Sequence, residues 1–274
     1  MIDSHVHLNR HEFAADREAV LERATQAGVT GFLNVGYDPE SSRDSLALAQ
    51  ADPRIRATVG VHPHDAALLA DPEGRPTAEG REILAELRDL ASADEVVAVG
   101  EIGLDFFRDL SPRPAQHTAL TLQLELAADL DLPVVFHIRD AYPETLALVD
   151  MVGVPPRGAV LHSFAGQAEH AVWARERGLW LGIGGPVTYK RGTLPEVLVT
   201  AEMTADQVLL ETDAPWLPPV PYRGKRNESA YLVHTRDKLA EILHVEVEEL
   251  TSRTTAGFQR LFGTLDATPG GDLE

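Results

Sequence analysis

Residues 115–138 read AQHTALTLQLELAADLDLPVVFHI, and two periodicities stand back to back in them. From Ala115 to Asp131, leucine and alanine recur every three or four residues, the spacing of a helix with an apolar face. After Pro133 the pattern changes to a short β-branched and aromatic run, Val134-Val135-Phe136, which ends in His137 and Ile138. A helix leading through a short connection into such a strand is half of a unit whose strands pair in parallel.

The same kind of strand recurs along the chain: MIDSHV near residue 2, GFLNVG near 31, IRATVGVH near 55, VVAVGEIGL near 96, PVVFHI near 133, AVLHS near 159, LWLGIGG near 179 and QVLLETD near 207. Between them lie helix-like stretches such as HEFAADREAVLERATQAG, with glycine or proline near the ends. Eight units predict an α/β chain folded as a (β/α)8 TIM barrel, with a doubly wound open sheet as the alternative that shares the local pattern. Beyond the eighth strand, Leu232, Leu239, Ile242 and Leu243 share one helical face and Phe258, Leu261 and Phe262 another, so two additional C-terminal helices are expected. The segment from Asp65 to Glu95 contains ADPEGRPTAEG, read as a surface loop entering a further helix. No linker divides the chain: residues 1–264 are expected to form one barrel domain, and 265–274 a disordered tail.

Composition narrows the chemistry. The 274 residues include no cysteine, so thiolate ligands, disulfides and cysteine nucleophiles are excluded, and a metal must be held by nitrogen and oxygen. Met1 runs directly into the first strand without the basic and apolar regions of a signal peptide, and no apolar run reaches the roughly 18 residues of a membrane span. A cytoplasmic protein without membrane association is therefore expected, and nothing points to an obligate protein partner. The formal net charge of -19 repels polyanions in general, so a nucleic-acid substrate would need local cations at its site.

In a parallel barrel, residues at the C-terminal ends of the strands converge on one mouth. There the chain places His5 and His7, then His62 and His64 in GVHPHD, then Glu101, His137, His162 and Asp213. Residues two apart on a strand point to the same side, so His5 and His7 can face one ion without bending the backbone. Imidazoles and carboxylates buried together on several strands would cost a few kcal/mol each if unpaired, a cost that a cation removes. The inventory exceeds the needs of one catalytic ion, which predicts two divalent ions, of Mg2+, Mn2+ or Zn2+, sharing a carboxylate. The three lysines, Lys190, Lys225 and Lys238, lie away from the candidate strand ends, so by position Glu101 is the bridge rather than a carboxylated lysine.

DSHVHL, GVHPHD, GEIGLDF, FHIRDA, HSFAG and LLETDAPWL together resemble, in order, the motifs of the TatD family of metal-dependent deoxyribonucleases, over residues 2 to about 262. The resemblance implies an amidohydrolase-type barrel with His5, His7, Glu101, His137, His162 and Asp213 as metal ligands. It also implies phosphodiester hydrolysis in DNA, as a 3′–5′ exonuclease acting on single-stranded ends, with a role in DNA repair or turnover. The family often has Asp where Asn9 stands and Pro where Ser229 stands.

On this basis His5 and His7 are assigned to one ion with Asp213, which also holds the attacking water. His137 and His162 are assigned to the other, with Glu101 between. Glu101, Asp213 and His62 are the expected catalytic groups. His62, His64, Arg139, Arg223 and Lys225 are the expected substrate contacts, Arg139 because it shares the side of the strand with His137. Arg226, Lys190 and Arg191 are expected to extend that positive mouth. Asp105 and Glu211 are read as residues that orient ligands from behind, and Trp216 and Tyr222 either as base-stacking aromatics or as packing under a proline-rich loop. Two rivals share these observations: a two-metal hydrolase of a small amide, lactone or phosphoester on the same scaffold, and a non-catalytic metal- or nucleic-acid-binding protein.

Overall fold

A computed structural model describes residues 1–265. The apolar runs form eight strands: β1 (Ile2–Val6), β2 (Gly31–Asn34), β3 (Ile55–Val59), β4 (Val96–Asp105), β5 (Val134–Arg139), β6 (Ala159–Leu161), β7 (Trp180–Ile183) and β8 (Val208–Leu210). Each pairs in parallel with the next in sequence order. The last meets the first through a parallel bridge between Val6 and Ala214. The barrel of the first expectation is therefore found, and the open sheet is not.

The helices between strands are α1 (Arg17–Gln26), α2 (Pro39–Ala51), α3 (Ala78–Leu90), α4 (Arg113–Asp129), α5 (Tyr142–Val152), α6 (Ala168–Glu176) and α7 (Leu194–Thr200), followed by α8 (Leu232–Leu243) and α9 (Val247–Phe262). Local chemistry starts several of them. Asp38 accepts from the Ser41 N–H while Ser41 Oγ accepts from the Asp38 N–H, with Pro39 in the first turn of α2, and the Thr77 hydroxyl accepts from the Gly80 N–H at the start of α3. The eighth barrel helix is α8. The addition is α9, whose Phe258, Leu261 and Phe262 pack against Ile2, Ala98, Val135, Val160 and Leu209 near the starts of the strands and close the end opposite the mouth. Leu265 packs half-buried on this same cluster, and the remainder of the expected tail, 266–274, lies outside the described residues.

One strand boundary differs from the sequence reading in a way that matters for the site. β4 runs to Asp105, because its pairing with β5 continues through Gly103–His137 to Asp105–Arg139, so Glu101 lies within the strand and Asp105 ends it. A side chain at Gly103 would collide with the His137 carbonyl, so glycine is what lets the two strands approach there.

Candidate metal centre

His5 leaves β1 pointing into the barrel and His7 follows one turn of the pleat later, both buried, with their Nε2 atoms 3.2 Å apart. Asp213 arrives from the β8 side. Its N–H donates to the His5 carbonyl at 2.9 Å, while the His7 N–H donates to the Ala214 carbonyl at 2.9 Å, so the ligand backbone is what joins the first strand to the last. Asp213 adopts a left-handed backbone, φ 55°, a conformation costly for a residue with a Cβ and held by these bonds. Its Oδ1 stands 3.5 Å from His7 Nε2 and 3.9 Å from His5 Nε2.

Glu101, buried in β4, lies between two groups. Oε1 is 3.7 Å from His7 Nε2, and Oε2 is 3.8 Å from His5 Nε2, 3.3 Å from His137 Nδ1 and 3.0 Å from His162 Nε2. The His137 and His162 nitrogens are themselves 3.2 Å apart. Burial alone would push the Glu101 carboxyl up, but the surrounding imidazoles, foremost His162, hold it well below its usual range. An ionised carboxylate whose buried Oε2 has no hydrogen-bond partner, set among the nitrogens of His5, His137 and His162, is a donor set that suits a divalent cation.

The groups behind the ligands set which nitrogen each presents. His7 Nδ1–H donates to the Val35 carbonyl at 3.2 Å, leaving Nε2 as the free lone pair. His137 is reversed: Asp105 Oδ2 accepts from its Nε2 at 3.2 Å and from His64 Nε2 at 2.8 Å, so Nδ1 faces Glu101. Asp105 Oδ1 caps the next turn by accepting from the Phe107 and Arg108 N–H groups. Burial opposes its charge, yet the bonds from His137, His64 and Arg108 hold it well below the usual carboxylate range. Glu211 sits beneath His5 and His162, accepts from the Ser163 N–H at 2.6 Å, and stands 3.6 Å from His162 Nδ1. Burial pushes its carboxyl up. A side chain at Gly182 would displace it.

His62 also lies within coordinating reach of Glu101 and His137. Its Nδ1 accepts from the His64 N–H at 3.1 Å, so its one lone pair is engaged and Nε2 carries the proton. Burial and the neighbouring His137 keep the ring neutral. It is thus a hydrogen-bond donor beside the ligands rather than a ready member of the set.

At the rim, Arg139 is exposed and lies 3.9 Å from the Phe107 ring, Arg223 lies 4.4 Å from the Tyr189 ring, and Lys225, Lys190 and Arg191 are exposed. Arg226 departs from expectation. It binds both carboxylate oxygens of Asp16 at 2.8 and 2.7 Å and the Glu12 carbonyl at 2.6 Å, fastening the loop after β8 to the entry of α1. Tyr222 is stacked on Tyr231 at 3.8 Å, whereas Trp216 stands edge-on to His7 and remains 40% exposed beneath the Arg10 guanidinium.

The sequence reading missed Asp3. This wholly buried carboxyl accepts from the Thr212 N–H and hydroxyl and from the Ser229 hydroxyl at 2.6 Å, and burial pushes it up to about 7 against those bonds. It ties β1 to the residue preceding Asp213. A signal was present, since Asp3 precedes His5 by two residues and shares its side of the strand. The serine at 229 is one of the departures from the family pattern, and it contributes one of these bonds.

The chain matches the family model described as TatD related DNase over residues 2–263. It is 35% identical over 262 residues to an uncharacterized metal-dependent hydrolase, YabD, of Bacillus subtilis (96% of this chain, 98% of the relative), and 38% identical over 267 residues to the 3′-5′ ssDNA/RNA exonuclease TatD of Enterobacter lignolyticus (96% and 99%). Its fold superposes on the crystal structure of YJJV, a TatD homologue from Escherichia coli K12, with a TM-score of 0.86 at 30% identity, covering 96% of this chain and 98% of that one. No helix among the described residues is long and apolar enough to cross a membrane. A barrel whose mouth gathers histidines and carboxylates from six strands, matched from end to end by these relatives, belongs to the TatD related DNase family of metal-dependent hydrolases.

Proposed function

We propose that the chain is a two-cation exonuclease that removes nucleotides from the 3′ end of single-stranded nucleic acid. The observation that supports this reading is the set of side chains gathered at Glu101, with His5, His7 and Asp213 from the first and last strands and His137 and His162 from β5 and the end of β6, which could hold two ions with Glu101 shared between them. The relatives named as 3′-5′ ssDNA/RNA exonucleases supply the direction and the strandedness.

When bound, two divalent ions would supply a nucleophile at neutral pH and neutralise the phosphoryl oxygens. The protein's own groups do the rest. Glu101 and the four histidines fix the spacing of the site. Asp213 turns Oδ1 toward His7, and its second oxygen takes the proton of the attacking water. His62 donates its Nε2–H to a phosphoryl oxygen, and Asp105 holds His64 beside it. Arg139 receives the scissile phosphate at the rim, and Arg223 and Lys225 receive phosphates further along the strand. A net charge of -19 over the whole chain favours capture of a flexible end at this small basic mouth over binding along a duplex.

The test uses metal-stripped protein with a single-stranded oligonucleotide labelled at either end, in Mg2+, Mn2+ or Zn2+. Stepwise shortening from the 3′ end, abolished by Glu101→Ala with Asp213→Ala, is the expected result. Intact metal loading without any cleavage would move the reading to a small-molecule hydrolase.

A further inference from the structure

A cavity of about 260 Å³ lies beside the ligand cluster, between the ends of β5, β6 and β7 and the loop after β8. One wall is made by His137, His162 and Asp213, so whatever fills it lies against the candidate ligands. The other wall is apolar. Phe164, 3% exposed and edge-on to Tyr142 at 5.5 Å, stands with Leu194 and Leu217. The volume falls below the roughly 300–1,000 Å³ of sites for drug-sized ligands, which leaves room for one nucleoside and not two. Among the described residues lining it, the one lysine or arginine is Arg139, exposed at the rim, so a phosphate is matched at the entrance and a neutral group inside. Apart from the metal-ligand wall and Arg139, the only polar side chain lining it is Ser163, too few groups to read the edge of a base.

The geometry points to this cavity as the subsite for the terminal nucleoside of the strand, base against the Phe164–Leu194–Leu217 wall and phosphate between Arg139 and the ligands. The inference rests on the exonuclease reading and deepens it. The subsite holds one nucleoside by shape and apolar contact, so the enzyme requires a base at the end it removes and is indifferent to which base.

Two oligonucleotides, identical except that one ends in thymidine and the other in an abasic tetrahydrofuran nucleoside, test it in the metal-loaded enzyme. The expected result is a kcat/KM for the first release about tenfold lower on the abasic end, as loss of base stacking predicts, with later releases equal. Replacing the terminal thymidine by any other base changes the rate by less than about threefold. Ala165 lines the cavity from an exposed position, so Ala165→Trp fills it without burdening the core. This variant should cut the thymidine rate about tenfold and erase the difference between the two ends. Equal wild-type rates on both ends overturn the subsite and leave the exonuclease standing. Release from neither end in any of the three metals overturns the exonuclease reading and the subsite with it.

Discussion

At the scale of single residues, the site depends on where protons sit on imidazole rings. His137 presents Nδ1 to Glu101 because Asp105, acceptor only when ionised, takes the hydrogen of Nε2. Asp105→Asn keeps the shape and leaves a carbonyl for the Phe107 and Arg108 amides, but it turns an NH2 toward both His64 and His137. His137 Nε2 must then accept, Nδ1 carries the proton, and the lone pair facing Glu101 is lost. The expected outcome is a folded variant in which the cation held by His137 binds about 10–100-fold less tightly. Calorimetric metal titration measures it, and an unchanged affinity would show that Asp105 serves the loop alone. These tautomers are invisible in the sequence. The spacing of His5 and His7 reveals that two rings face one side, and it says nothing of the Val35 carbonyl that sets His7.

At the scale of elements, the loop after β8 carries Asp213, Trp216 and Arg223, and it is fastened by charge. Arg226 grips Asp16 ahead of α1, while Arg23 on α1 holds Glu228 at 2.6 Å and reaches Asp16 at 3.5 Å. The hydrogen bond from Arg226 holds the Asp16 carboxyl below its usual range. A carboxyl depressed on folding stabilises the native state above its unfolded pKa, near 3.9, and that contribution disappears as pH falls through the folded value. Both partners are partly exposed, so the expected cost of Asp16→Asn at pH 7 is about 1 kcal/mol or less. Urea midpoints of wild type and variant should differ at pH 7 and the gap should shrink as pH falls below about 3.9; a gap that keeps its size down to the acid limit of folding would rule out the ion pair as its origin. The run Arg223–Arg226 in the sequence promised a basic mouth, but the partner that removes Arg226 from it lies 210 positions earlier. The strand–helix alternation was legible because each unit writes its own periodicity locally. The reach of β4 past Glu101 was not, since pairing with β5 decides it.

At the scale of the whole molecule, closure of the barrel and assembly of the candidate metal centre are one event. The seam between first and last strands is made by the backbones of His5, His7, Asp213 and Ala214, and the side chains of three of these join Glu101, His137 and His162 from β4, β5 and the end of β6. The unfolded chain spreads these candidate ligands over more than 200 residues and cannot gather them, so a cation would bind the folded barrel almost exclusively. It also relieves the mutual repulsion of Glu101 and Asp213 in a chain already at -19. Free metal at about 100 times its dissociation constant should stabilise the fold by about 2.7 kcal/mol per site. In a domain of this size, that raises Tm by roughly 5–10 °C per site. Thermal scans of chelator-stripped protein across a metal titration should therefore climb with the logarithm of metal concentration, and His5→Ala should flatten the climb. A Tm that ignores metal in the wild type would mean that the ligands are not gathered by the closed barrel, and the shared-carboxylate reading of Glu101 would fall with it.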